Sequence, residues 1–213
     1  MDDKPKFSIV VSTYDQAQEI SENLPSLLNQ QYEAGYEVIV VDESSADDTA
    51  DVLKQLKSQF PNLYTTFLPK YQFQKNRQRL AYTIGVKAAK HNYTVLADIN
   101  RPPLSETWLQ DLAEVIESQR PELMAGYIIR KKGTMKLQTF DDIAQAQHIV
   151  GKAERRKANG HKGRWLRFLR GKYDFLVVKT SLGHELLRFF ETDLKGTNLL
   201  GCRLKVILHN MME

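Results

Sequence analysis

Glu37-Val38-Ile39-Val40-Val41-Asp42-Glu43-Ser44-Ser45 decides how this chain is read. A short, mostly β-branched run stops abruptly at two carboxylates and two serines. Tyr93-Thr94-Val95-Leu96-Ala97-Asp98 repeats the pattern and is followed by Asn100, Arg101, Pro102 and Pro103. Each run predicts a buried strand with a carboxylate at its C-terminal end. In open α/β sheets, ligands sit outside the carboxyl ends of the strands. Two acidic strand ends therefore point to a polar ligand, with or without a metal. Asp also serves as a turn or cap residue, and the residues alone leave Asp42 and Asp98 open to that role.

The flanking sequence extends the pattern. Phe7 to Ser12 reads as a first strand, ending at Thr13-Tyr14-Asp15. A helix follows with Ile20, Leu24, Leu27 and Leu28 on one face, Asp15 near its positive end, and Pro25 as an expected kink or split. After the second strand, Ser44 to Thr49 opens another helix, with Val52, Leu53 and Leu56 inward. Asn62 to Leu68 is a third strand, and Pro69 to Arg79 a basic loop carrying Lys70, Lys75, Arg77 and Arg79. A helix through Leu80, Ile84 and Val86 leads to the strand that ends at Asp98. Ser105 is expected to cap a helix containing Trp108, Leu109, Leu112, Val115 and Ile116; Pro121 ends it, and Leu123 to Arg130 is again a strand. Strand, loop and helix in alternation mean parallel α/β winding. Beyond Lys131 the alternation weakens: Phe140 to Ala158 reads as a long helix, Tyr173 to Val178 as a strand, and Thr180 to Phe190 as a helix. The division expected is residues 1–130 and 131–213 within one continuous domain.

The chain has 213 residues and a net charge of +4. That is long enough to bury a sizeable core. Its one cysteine, Cys202, excludes an internal disulfide framework and fits a reducing compartment. The start Met1-Asp2-Asp3-Lys4 does not read as a signal peptide, and no stretch reaches the roughly 18 consecutive apolar residues of a membrane span. The expected location is the cytoplasm, either free or at the inner face of a membrane. Between Gly151 and Lys179, cations such as Arg155, Arg156, Lys157, Arg164, Arg167 and Arg170 face only Glu154 and Asp174, with Trp165, Leu166, Phe168 and Leu169 among them. That stretch suits peripheral contact with anionic lipid, or is a solvated helix face. Nucleic acid is not expected, since no binding motif accompanies the charge. No G-x-G-x-x-G follows the first strand, which argues against a dinucleotide-dependent dehydrogenase. The tail from Thr197 to Met212 is apolar enough to be buried or bound.

Taken together, these segments resemble the inverting family 2 glycosyltransferases of the GT-A fold. Phe7 to Asp15 is similar to that family's opening strand and its Pro-Thr-Tyr-Asn turn. Val40 to Thr49 resembles its Val-Asp-Asp-Gly-Ser-Thr-Asp-Gly-Thr segment, and Asp98-Ile99-Asn100 stands where the family has Asp-X-Asp. The resemblance covers about the first 130 residues and implies a three-layer, Rossmann-like α/β fold with a mostly parallel central sheet flanked by helices. It implies a nucleotide-diphosphate sugar donor, UDP-sugars first, with Mn²⁺ or Mg²⁺, and a glycan or lipid-linked acceptor. Carried over by position, Thr13, Tyr14, Asp15, Asp42 and Glu43 line the nucleotide pocket, Asp98 holds the ribose or the metal side of the diphosphate, and Asn100 stands at the usual metal-ligand position. Arg77, with Lys75 and Arg79, is a candidate to neutralise the phosphates, or belongs to a solvated loop. An acceptor hydroxyl needs a general base, normally a carboxylate; the family's late acidic motif falls on Glu191 and Asp193, with Glu185 behind them, or these are surface acids flanking a helix.

Several positions depart from the family. Asn100 replaces the second carboxylate of Asp-X-Asp, Glu43 replaces an Asp, and Thr192 splits the acidic pair of the base motif. Ala81 to Gly85 lacks the Arg and Asn often found before that glycine. Arg164-Trp165 resembles the Arg-Trp of processive synthases but precedes the base. These departures keep a second reading open: a catalytically impaired or inactive homologue that binds nucleotide or serves as a scaffold partner.

Overall fold

The computed structural model describes residues 4–68, 77–129, 134–140 and 174–183. The strands are β1 (Phe7–Thr13), β2 (Tyr36–Asp42), β3 (Leu63–Phe67), β4 (Tyr93–Ala97), β5 (Leu123–Ile129), β6 (Thr134–Phe140) and β7 (Phe175–Lys179). The helices are α1 (Ala17–Leu28), α2 (Thr49–Gln59), α3 (Arg77–Ala88) and α4 (Trp108–Gln119). One sheet holds the strands in the order β3-β2-β1-β4-β7-β5-β6. The first four in that order run parallel, and β7 lies antiparallel between β4 and β5, which is paired in turn to antiparallel β6.

Both faces of the sheet are covered, which explains why its strands read as unbroken apolar runs. Ile9, Val11, Val38, Val40, Val95 and Ala97 face α1, α2 and α4 through Leu24, Leu27, Leu53, Leu109 and Leu112. Val10, Ile39, Val41 and Leu96 face the other way, against Ala81 and Val86 of α3 and Leu182. The alternation within β1 thus divides two cores and makes three layers. All seven residues of β1 are buried. Gln30 bolts this packing from within: its Nε2 donates to the carbonyls of Ser26 (2.8 Å) and Ser105 (3.0 Å), and its Oε1 accepts from Leu109 N–H (3.2 Å).

Two glycines permit close approach. Gly126 pairs with Phe175, and a methyl group there would lie 2.2 Å from the Phe175 ring. That ring sits edge-on to Trp108 at 5.1 Å. Gly85 brings α3 onto β1, where a methyl group would lie 2.1 Å from Val10 Cγ1.

The mostly parallel α/β sheet is as expected, and Ile20, Leu24, Leu27 and Leu28 do form the buried face of α1. Several boundaries differ. α1 runs without a break through Pro25, because the buried residues Leu24, Leu27 and Leu28 on either side of the proline hold that last turn against the core. α2 starts at Thr49, as Asp42 to Asp48 is taken up by hydrogen-bonded loop. Arg77 and Arg79 belong to α3, not to the loop before it. Thr107, not Ser105, is the residue before α4; Ser105 Oγ instead accepts Thr107 N–H at 3.1 Å. Phe140 ends a strand rather than starting a helix. The alternation of Met135 and Leu137, packed on the core, with Lys136 and Gln138 was the signal for β6. The rest of that expected helix lies outside the described residues.

An exposed helix gains about 1 kcal/mol from Gly→Ala. At Gly85 the sign should reverse, because the methyl group would meet a buried valine. Gly85→Ala is expected to lower stability by about 1–3 kcal/mol in urea unfolding; a stabilised variant would mean that α3 does not press on β1.

Candidate functional site at the carboxyl ends of the strands

Register brings the acidic strand ends together. Thr13 pairs with Asp42 across β1 and β2, and Val11 pairs with Ala97 of β4, so Asp98 emerges beside them. Glu43 N–H donates to Thr13 C=O at 2.8 Å, extending the β1–β2 pairing by one bond. The loops beyond are tied to each other. Asp15 N–H donates to Ser45 Oγ (2.9 Å), and Asp15 Oδ1 accepts Ala46 N–H (2.6 Å). Asp42 Oδ1 accepts both Ser45 N–H (3.0 Å) and Ser45 Oγ–H (2.6 Å). Asp15 and Ser44 adopt positive φ, 49° and 64°, a conformation that non-glycine residues enter at a cost.

The helix starts are held across the loops. Asp47 Oδ2 accepts Ala17 N–H of α1 (2.9 Å), and its Oδ1 accepts Thr49 N–H (3.1 Å) and Thr49 Oγ1–H (2.5 Å) of α2. Those bonds, the Thr49 hydroxyl first, lower the Asp47 pKa. Gln16 N–H donates to Thr49 Oγ1 (3.2 Å). At the β4 end, Asp98 Oδ1 accepts from Asn100 N–H (2.9 Å) and Asn100 Nδ2–H (3.0 Å). Asp98 N–H donates to Asp174 C=O, and the buried Asp174 carboxylate pairs with Arg101 at 3.2 Å.

Beneath these loops lies a charged and polar cluster. Glu43 is 7% exposed. Burial pushes its carboxyl up to about 7; Arg77 opposes that rise and Asp42 adds to it. Arg77, the first residue of α3, donates through Nη2 to Glu43 C=O, and its buried Nε finds no partner among the described residues. One turn on, Tyr82 donates to Ala97 C=O at 3.2 Å. Burial raises its pKa, the Ser12 hydrogen bond opposes this, and Asp98 and Glu43 raise it further. Tyr82 therefore sits between the two acidic strand ends.

Of the residues expected from sequence, Thr13, Asp15, Asp42, Glu43, Arg77, Asp98 and Asn100 meet along this one edge. Tyr14 lies there too, with its side chain 54% exposed. Asp42 performs turn chemistry toward Ser45 while standing at the strand end, which is the turn role its residue type allowed. Lys75, Glu185, Glu191 and Asp193 lie outside the described residues, as does the side chain of Arg79 and the basic stretch from 151 to 173. Sequence reading missed Gln16, Ser45 and Tyr82 as parts of the site. Ser45 lay inside the quoted motif and Tyr82 inside the Ala81 to Gly85 run that departs from the family; Gln16 carried no signal.

For a cation, the donor set is lean. Among the described residues no three His, Cys, Asp or Glu side chains converge. Asp98 supplies one carboxylate, whose Oδ2 accepts no hydrogen bond from those residues. A single hard carboxylate oxygen fits a divalent ion that takes most of its shell from phosphates and water.

Comparison with known proteins places this geometry. The family model of glycosyl transferase family 2 matches residues 8–162. A chondroitin synthase of Escherichia coli is 26% identical over 176 residues, 74% of this chain and 25% of that protein. A dolichyl N-acetyl-α-D-glucosaminyl phosphate 3-β-D-2,3-diacetamido-2,3-dideoxy-β-D-glucuronosyltransferase of Methanococcus voltae is 29% identical over 131 residues, 58% of this chain and 39% of that one. The chain thus spans less than half of either relative. A mannosyltransferase of Pyrobaculum calidifontis, solved with GDP-Man and Mn²⁺, aligns over 97% of this chain and 69% of its own, with TM-score 0.53 and 15% identity, a likeness of fold.

Glu43 gives the site a pH signature. Its folded pKa stands near 7 against an ordinary 4.5. Below about pH 4.5 the group is protonated in both states and costs nothing. As pH rises toward 7 the unfolded chain ionises first, so the folded state loses up to about 3 kcal/mol. Glu43→Gln should therefore gain stability over wild type through that window and keep a constant advantage above it, read from unfolding midpoints across pH. A difference that does not change with pH would show that the carboxyl is not held up by burial.

Proposed function

The chain belongs to glycosyl transferase family 2, and we propose that it moves a sugar from a nucleoside-diphosphate sugar, UDP-sugars first, to a glycan or lipid-linked acceptor with inversion. The observation that carries this reading is the convergence of the Thr13–Asp15 loop, Asp42 and Asp98 on one edge of the sheet. The names of the two curated relatives, a chondroitin synthase and a transferase acting on a dolichyl-phosphate sugar, favour such acceptors.

In the proposed reaction the nucleotide lies over the strand ends, with Asp42 and Glu43 toward the base and Asp98 toward the ribose and diphosphate. The acceptor hydroxyl oxygen attacks the anomeric carbon from the face opposite the diphosphate. A carbon–oxygen bond forms, the bond to phosphate breaks with its electron pair leaving on the diphosphate, and the hydroxyl proton passes to a carboxylate. Glu191 or Asp193 is assigned that base role. Arg77, already aimed at the Glu43 carbonyl, adds positive charge near the leaving group. A Mn²⁺ or Mg²⁺ held by Asp98 would neutralise charge on the departing diphosphate. Residues 1–130 serve the donor and residues 131–213 the acceptor, the basic stretch meeting anionic lipid on the cytoplasmic face of a membrane. No described helix is long and apolar enough to cross one.

Calorimetric titration with UDP and GDP, with and without Mn²⁺, tests the donor site. Asp42→Ala and Asp98→Ala are each expected to weaken binding about tenfold or more, roughly 1.4 kcal/mol, without unfolding the chain. Wild-type affinity in both variants would put the nucleotide elsewhere. Asp193→Asn and Glu191→Gln should keep nucleotide binding, and the variant that removes the base should lose turnover. Binding without turnover of any sugar nucleotide in wild type would favour the inactive-homologue reading.

A further inference from the structure

Gln16 immediately precedes α1 and touches the loops of three strands. Its backbone N–H reaches Thr49 Oγ1, and its carbonyl accepts Ile20 N–H at 2.9 Å, so its place at the helix start is fixed. Its side chain lies between two others. Thr13 Oγ1–H donates to Gln16 Oε1 at 3.3 Å, and Gln16 Nε2–H donates to Asn100 Oδ1 at 3.3 Å. Asn100 Nδ2–H then donates to Asp98 Oδ1 at 3.0 Å.

The direction of this chain of bonds is set at one end. An ionised carboxylate only accepts, so the amide at 100 must turn its N–H to Asp98. Its oxygen then faces Gln16 and requires a donor there, which the Gln16 amide provides while accepting from the Thr13 hydroxyl. A carboxylate at position 100 would meet Asp98 acceptor to acceptor, and one at position 16 would leave Asn100 Oδ1 without this donor. An amide is the side chain that satisfies both ends at each position. Asn100 as a cation ligand would have to present its oxygen to the ion, and in this arrangement that oxygen is engaged away from Asp98.

We propose that Gln16 is a positioning residue of the donor site, which keeps Asn100 with its N–H toward Asp98, so that Asn100 orients that carboxylate and does not itself ligate a cation. The proposal rests on the donor-site reading for its functional meaning. Its structural half can be tested without any nucleotide.

The first readout is the side-chain amide resonances of Asn100 in ¹⁵N-labelled protein, identified by their loss in Asn100→Ala. Gln16→Leu keeps the volume and removes the polarity; Gln16→Glu keeps an acceptor for Thr13 but cannot donate to Asn100. Both should move the Asn100 resonances and speed exchange of its amide protons, with the Glu variant serving if the Leu variant fails to fold. The second readout is calorimetry with UDP, with and without MnCl₂. Asn100→Ala and Gln16→Leu should each weaken UDP binding about threefold to tenfold, by the same factor in both media. The double variant should be no worse than Asn100→Ala alone, as expected of residues acting through one path. Unmoved Asn100 resonances in the Gln16 variants would overturn the proposal. So would additive losses, or an Asn100→Ala variant that loses the Mn²⁺ effect while binding UDP alone like wild type. If wild type binds neither UDP nor GDP, the donor-site reading falls, and the resonances still decide whether Gln16 positions Asn100.

Discussion

One carboxylate, Asp47, is shared by the starts of two helices. One oxygen meets the first N–H of α1 and the other meets the first N–H and the hydroxyl of α2. Helix N-termini expose unpaired donors and a positive dipole end, and a carboxylate answers both. Neither Gln16 nor Asp48 caps its own helix through a side chain. The cap of α1 comes from the neighbouring loop, so two successive strand–helix junctions lock into one piece. The exchange between Asp15, Ser45 and Ala46 reinforces the same seam. The positive φ angles at Asp15 and Ser44 follow from it: the chain accepts strained backbone there because the hydrogen bonds on both sides leave it no other route.

The alternation of apolar strand and amphipathic helix told the parallel half of the sheet plainly. Val38 to Val41 and Tyr93 to Ala97 are buried on both faces, and uninterrupted β-branched runs report that. Phe140 went the other way: it reads as the start of a long helix, whereas tertiary pairing with Leu123 makes it strand. The position of β7 was not legible at all, since no local signal says where a strand inserts. At the site, the acids announced themselves by standing at the ends of apolar runs. The amide of Gln16 and the phenol of Tyr82 did not, because the partners Asn100 and Ala97 lie 84 and 15 residues away and those pairings exist only once the sheet has formed.

The described floor of the site works as much by donor and acceptor matching as by charge. Glu43 is desolvated and only partly compensated by Arg77, and Tyr82 is pressed between two acids. A buried cluster of this kind costs stability. The neutral amides at positions 16 and 100 then hold the second acidic end without adding a further charge to that cost.

β7 occupies the slot between β4 and β5, antiparallel to both. Its ends are sewn in by Asp98 N–H to Asp174 C=O, Asp174 N–H to Gly126 C=O, and the buried Thr94–Thr180 hydroxyl pair. This has a consequence for how the protein is made. During synthesis β1 to β4 have their neighbours early, but the inner edges of β4 and β5 stay open until residues 175–179 emerge. Contacts of such long sequence separation form slowly, and open strand edges invite pairing with other chains. The interval between the synthesis of β5 and the arrival of β7 is therefore the stage at which this chain is most exposed to misassembly. Closing that slot also completes the support beneath Asp98.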